Sequence, residues 1–216
     1  MSGPEKRELI DQWQRWIDNE LLWQIQYMII DRRIFKALND SLLRFEGQYE
    51  GAEITKWIAR CYIANITLAI RRFVDKGNSV ISMYRLLDEI SKELPSLGPE
   101  LFRDFATWPI EVREGKLLQD AIIKDMKDLG SHTIKIKYLT DKHVAHTDAK
   151  TDPLELPQVQ DLDKAIEFLH WVYRKYAYLL AGYSWQPTDP PNENDIAPPG
   201  DDDYTAQFSK MWVSIQ

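Results

Sequence analysis

The sequence predicts an all-α fold: an up-and-down helical bundle of about five to six helices, followed by an acidic, Pro-rich C-terminal tail. Three observations predict it. Apolar residues recur at three- and four-residue spacing through most of the first 185 positions. Glycine is scarce, at 9 residues. Proline concentrates late, with five of its 11 residues, Pro187, Pro190, Pro191, Pro198 and Pro199, in the tail.

Leu9, Trp13, Trp16 and Ile17, then Leu21 onward to Leu43, form one long or broken helical region. Its most apolar window, Leu21–Ile30, holds Gln24 and Gln26 and runs into Asp31-Arg32-Arg33. A bilayer span needs roughly 20 apolar residues, so this is a core helix. Ile54 to Phe73 is a second helix. A third starts after Gly77-Asn78 with Ser79 as its N-cap and continues through Met83, Leu86, Leu87 and Ile90. Pro99 opens a short helix that Trp108-Pro109 closes. Leu117 to Leu129 is periodic again. Thr133 to Tyr138 alternates like a strand, but no second strand exists to pair with it. A lone strand is not stable in water, so this stretch is helix too. Leu162, Ile166, Leu169, Val172, Tyr176 and Leu179 mark the last helix, with Asp161 as its cap and Gly182 as its stop.

The chain divides into a single helical domain over 1–185, an acidic Pro-rich linker over 186–203, and a short apolar segment over 204–216. Tyr204, Phe208, Met211, Trp212, Val213 and Ile215 suit that last segment to docking on the body or on a partner. The net charge of −7 is unevenly spread. Residues 186–216 hold six acids and one base, −5, which leaves −2 for the body. Residues 54–76 run the other way, with five bases and one acid, +4, a local surface suited to a phosphate-bearing partner. One cysteine, Cys61, between Ile58 and Tyr62, excludes an intrachain disulfide and reads as core. Met1–Leu9 lacks an apolar leader, so a reduced cytoplasmic protein without a membrane partner is expected.

No nucleophile elbow and no phosphate-binding glycine loop is present. His143 and His146, three apart beside Asp141 and Asp148, allow a two-His, one-carboxylate metal site, but the zinc-hydrolase spacing is missing and no cofactor is expected. On the second helix, Ile54, Ile58, Cys61, Leu68 and Ala69 form an apolar arc. Asn65 and Arg72 fall inside that arc, with Lys56, Arg60 and Arg71 opposite. A buried Arg72 needs a carboxylate (Asp75 or Asp88) or an anionic ligand. Lys142 and His146 are four apart, which sets a cation beside an imidazole able to move a proton near neutral pH. That pair is a minimal kit for metal-independent cleavage of an RNA phosphodiester.

Two stretches carry a resemblance. They are Ile70-Arg71-Arg72-Phe73-Val74-Asp75 with Ile81-Ser82-Met83-Tyr84-Arg85-Leu86-Leu87, and Asp141-Lys142-His143-Val144-Ala145-His146-Thr147-Asp148. The sequence resembles the HEPN superfamily, in the branch related to Abi-U-type abortive phage infection proteins, whose pattern is Arg-Asn/Asp-Lys-x-x-Ala-His-x-Asp. The resemblance covers roughly residues 10–183. It implies a homodimeric helical bundle of phage defence or toxin–antitoxin type, with RNA or a nucleotide as ligand and an antitoxin as a further partner. It also implies a site in which an Arg and a His from both protomers support attack of a ribose 2′-hydroxyl on the adjacent phosphate. Carried over by position, His146 is the catalytic His and Asp141 the polar residue after the Arg. The position of the Arg itself holds Thr140, which has no guanidinium. Lys142 and Arg72 are the candidate replacements, and Arg71, Asn65, Thr140 and His143 complete the expected binding set. Two functions stay open: an endoribonuclease using His146, and a non-catalytic module binding nucleotide, RNA or a partner protein.

Overall fold

A computed structural model describes residues 3–44, 52–97, 116–141 and 157–181. All regular structure among them is helical, as the sequence predicts. Helix α1 (Gly3–Arg15) runs through a π-helical turn (Trp16–Leu21) into α2 (Leu22–Arg44), followed by α3 (Ala52–Phe73), α4 (Met83–Leu97), α5 (Lys116–Leu139) and α6 (Val159–Ala181). The short helix expected over 99–109, the linker and the C-terminal apolar segment lie outside the described residues.

The first long region is continuous but not uniform. The Leu22 N–H donates to the Ile17 carbonyl, five residues back, which defines the wider turn. One extra residue per turn shifts the apolar register, and Trp13, Trp16, Ile17, Leu21, Ile25 and Met28 are all buried. Helix α3 packs antiparallel to α2. Asn65 Nδ2 donates to Asp31 Oδ2 at 2.6 Å, and one turn farther along the pair the Tyr62 ring stacks on Phe35 at 4.0 Å. Helix α6 is antiparallel to the α1–α2 run: the Gln14 amide donates to the Leu180 carbonyl, and buried Arg32 pairs with Asp163 at 3.1 Å and Glu167 at 2.9 Å. Helix α5 lies antiparallel to α6, with Asp125 against Lys175 and Lys135 against Asp161. Trp13 Nε1 donates to Glu89 and ties α4 to α1.

Helix ends differ from the sequence expectation in two places. Helix α4 starts at Met83, capped by Ser82, whose Oγ accepts the Arg85 N–H at 3.1 Å; Ser79 does not cap it. Residues 77–80 are spent in a turn closed by the Val80 N–H on the Gly77 carbonyl. That turn is organised by Asp75, whose carboxylate accepts the Gly77 N–H at 2.7 Å. A Cβ at position 77 would sit 3.1 Å from the same oxygen, tight enough to disturb the bond. Helix α6 starts two residues before Asp161, which reaches back to accept the Gln158 N–H at 2.9 Å. Asp161 is the third-position acid of a capping box rather than the cap.

Two buried phenols give the fold an alkaline limit. Burial pushes the Tyr62 hydroxyl well above its ordinary 10, and the Asp163 carboxylate pushes it the same way. Burial, then the Asp125 carboxylate, do the same to Tyr176. Both rings stay protonated in the folded chain while the unfolded chain loses these protons near 10, so their contribution to stability is complete below that pH and falls as pH climbs beyond it. Of the 10 tyrosines, at least these two are expected to escape titration at 295 nm until the chain unfolds. A single titration step near 10 for every tyrosine, with helicity intact, would contradict the burial.

Candidate functional site

The C-terminal ends of α3 and α5 meet, which brings the first motif stretch against Asp141, the first residue of the second. Helix α5 ends at Leu139, and its backbone continues through Thr140 and Asp141 as a wider turn. Thr140 is buried, its hydroxyl donating to the Ile136 carbonyl at 2.9 Å and lying 3.5 Å from the Thr67 carbonyl of α3. Asp141 emerges on the surface, its Oδ1 3.6 Å from Arg71 Nε. At that length this is an ion pair rather than a hydrogen bond. The Arg71 hydrogen bond goes to Asp75, Nη1 to Oδ2 at 3.0 Å. Arg71 thus bridges the turn after α3 and the end of α5, holding the start of the Asp141–Asp148 stretch in place.

Arg72 is exposed and forms no ion pair with any described residue. It opens onto a groove of about 590 Å³, lined also by Glu20 of the π-helical turn, Leu68, Arg71, Asp75 and residues 79–81. With Arg71 neutralised by two carboxylates, the cation available in this groove among the described residues is Arg72. Its planar fork of donors is the geometry that binds a phosphate through two parallel hydrogen bonds.

Several expected positions change. The spacing predicts a buried Arg72 on the apolar arc with Arg71 opposite; the structure reverses their exposure. Arg71 is half-buried and paired, and Arg72 faces solvent. Neither expected carboxylate partners Arg72: Asp75 holds Arg71, and Asp88 holds Lys92 at 2.5 Å. The arc itself is the outer face of α3. Ile54, Leu68 and Cys61 are exposed, so Cys61 is not a core residue. The buried face is Tyr62, Ile66, Ile70, Phe73 and Val74. Helix α3 is apolar on both faces, and only its contacts with α2, α5 and α6 decide which is covered.

Among the expected site residues, Arg71, Arg72, Thr140 and Asp141 are brought together. Asn65 is not: it sits two turns before Arg72, engaged with Asp31, whose carboxyl is raised by burial and partly drawn back by this hydrogen bond. Lys142, His143 and His146 lie outside the described residues. No group of three or more His, Cys, Asp or Glu suited to a metal occurs among the described residues, and no described helix is long and apolar enough to cross a membrane.

The sequence reading missed a second polar cluster, in the core between α5 and α6. Buried Asp125 accepts from Lys175 Nζ at 2.6 Å and from the Tyr176 hydroxyl at 2.8 Å. The Lys175 ammonium also lies 5.2 Å from the Trp171 ring centroid, a cation–π arrangement. The signal was in the spacing, since Asp125 falls between Ile122 and Leu129 on the apolar face of α5.

A family model described as AbiU2, a HEPN family, matches residues 10–197. No curated protein and no solved structure matches the chain. The match covers far more than half of the 216 residues, contains both motif stretches and agrees with the all-helical bundle: the chain belongs to the AbiU2 family of HEPN proteins.

Proposed function

We propose that this protein is a defence-type HEPN endoribonuclease of the abortive-infection or toxin–antitoxin kind, which cleaves RNA without a metal ion and acts as a homodimer. The observation that carries the proposal is the junction at Arg71, which ties the first motif stretch to Asp141 at the head of the second and leaves Arg72 beside it without an ion pair among the described residues. Arg72 supplies the guanidinium that the family pattern has at position 140. His146, five residues beyond Asp141, is the acid–base that takes the proton from a ribose 2′-hydroxyl and returns one to the leaving 5′-oxygen. Asp141 and Arg71 position that stretch, and Lys142 adds charge toward the phosphate.

The outer stripe of α3 supports the dimer. Ile54, Trp57, Cys61 and Leu68 line one helical face with Arg72 at its end, and Ile54, Trp57 and Leu68 are 46–58% exposed. On α2, Trp23 and Tyr27 are exposed as well. A soluble protein rarely leaves such a row uncovered, and a second copy seated on it lies next to the groove. Leu68→Glu is expected to halve the mass seen by light scattering. A wild-type chain that is already monomeric at micromolar concentration overturns the dimer.

The activity test is cleavage of single-stranded RNA by the purified full chain in a chelator, alongside His146→Ala. Cleavage by the wild type and a loss of about 10²-fold or more in the variant are expected; equal cleavage by the two refutes the role of His146. A second reading, a HEPN module that binds nucleotide, RNA or a partner protein without cutting, is favoured by the burial of Thr140. Its hydroxyl is spent on its own helix, and the position faces α3 rather than the groove. RNA binding without cleavage by the wild type decides for that reading.

A further inference from the structure

The groove at Arg72 also holds a carboxylate, Glu20, and the two are not partners. Both are exposed, and neither pairs with the other or with any other described residue. The sequence around Glu20 shows why no neighbour neutralises it. The positions three and four away on its own helix are Trp16, Ile17, Trp23 and Gln24, none of them a cation. Arg15, five residues back, lines a separate groove with Arg7, Glu8 and Asp11. The backbone under Glu20 is fixed all the same. Trp16, Ile17 and Leu21 of its π-helical turn are buried, and such turns are rare inside helices and concentrate at functional sites. Half-buried Val80 and Ile81 give the groove an apolar lining, with Ile81 packed against the core.

A carboxylate in an anion groove is a cost unless the ligand gives it something to accept. It repels a bare phosphate, and, having only acceptors, it needs a donor. The two side chains therefore fit a ligand that is anionic at one end and donates hydrogen bonds at the other. A nucleotide is such a ligand, and a groove of about 590 Å³ has the size of a small-molecule site. Among the RNA bases, guanine alone presents two adjacent donors, N1–H and N2–H, on its Watson–Crick edge. Adenine and cytosine set an amino donor beside a ring-nitrogen acceptor, and uracil an N–H between two carbonyls. Guanine alone meets both oxygens of a carboxylate through parallel hydrogen bonds; the other bases bring an acceptor against the negative charge. We propose that Glu20 selects the base: a guanosine of single-stranded RNA binds with its phosphate on Arg72, its ring against Val80 and Ile81, and its N1–H and N2–H on the Glu20 carboxylate. Single strands are where that edge is open to reading. The inference rests on the RNA-binding part of the proposed function and is independent of cleavage.

The test measures binding of the full chain to fluorescent 2′-O-methyl oligouridylates, which lack the hydroxyl that attack requires. One central position carries guanine, hypoxanthine, adenine or uracil. The wild type is expected to bind the guanine oligonucleotide about 10-fold more tightly than the adenine or uracil one. Hypoxanthine, which keeps N1–H and lacks the N2 amine, should fall between. Glu20→Gln is expected to bring the preference within about 2-fold, with binding of the all-uracil oligonucleotide held or tightened. Its melting temperature should match the wild type, because Glu20 is exposed and bonded to no described residue. Arg72→Ala is expected to weaken all four oligonucleotides and keep their ranking. Equal wild-type affinities for the four overturn the proposal. So does a guanine preference that survives Glu20→Gln beneath a uniform gain, the mark of a carboxylate that only repels phosphate. RNA bound or cut without base preference refutes this inference and leaves the nuclease. Guanine-selective binding by a chain that cuts no RNA keeps this inference and removes the nuclease, and a chain that binds none of the oligonucleotides refutes both.

Discussion

Arg72→Ala is expected to lower the rate of RNA cleavage about 10²–10³-fold, the usual loss when one fixed donor to a developing oxyanion is removed. Arg72 is exposed at the rim of the groove and pairs with no described carboxylate. Its removal therefore leaves no buried charge behind, and the melting temperature should hardly move. Arg72→Lys keeps a positive charge but not the planar fork, so it should restore RNA affinity more than turnover. Arg71→Ala should behave differently. It releases Asp75 and Asp141 together, so the turn after α3 loosens and thermal stability falls along with activity. If Arg72→Ala and Arg71→Ala lost activity and stability in the same proportion, Arg72 would be a structural residue and the cation of the site would have to be sought in Lys142.

Asp125→Ala should be the most destabilising single change among the polar residues of the core. It leaves the Lys175 ammonium buried without its carboxylate, and the Tyr176 hydroxyl without its acceptor. Breaking one side of a buried ion pair costs about 3–5 kcal/mol. At roughly 2–4 °C per kcal/mol for a chain of this size, the melting temperature should drop by about 6–20 °C. Asp125→Asn keeps an acceptor for Tyr176 and should lose less. The informative variant is the double change Asp125→Leu with Lys175→Met, which removes both charges and fills their volume with apolar groups. It should recover most of the loss, because desolvating two charges consumes much of what their attraction returns. A double variant as unstable as Asp125→Ala would show that the pair itself, through Tyr176 and Trp171, holds α5 against α6.

Much of the fold was legible because a helix writes its own pattern. Leu162, Ile166, Leu169, Val172, Tyr176 and Leu179 sit on one face whatever they pack against, and all are buried. The Thr133–Tyr138 stretch has no strand to pair with, which predicts helix, and it lies within α5. The caps were less legible. Ser79 and Ser82 are equally good caps by residue type, and the choice fell to Asp75, whose bond to the Gly77 N–H holds residues 77–80 in a turn. The orientation of α3 could not be read at all. Ile54, Cys61 and Leu68 make as regular a stripe as Tyr62, Ile66 and Ile70, and hydrophobic spacing alone does not say which one meets a neighbour.

The sequence by itself determined the class of the protein: a helical HEPN chain of the AbiU2 family, with most of its net negative charge in the tail and a local basic surplus over residues 54–76. Helical periodicity, turn residues and charge are local properties, so they survive in one dimension. Only the tertiary structure decided which arginine is unpaired among the described residues. Arg71 and Arg72 are neighbours of identical chemistry, and the 100° between them on the helix turns one toward Asp141 and the other toward solvent. That difference depends on where α5 ends, some seventy residues later in the chain. It moves the available cation one position along α3 and puts it at the rim of the groove.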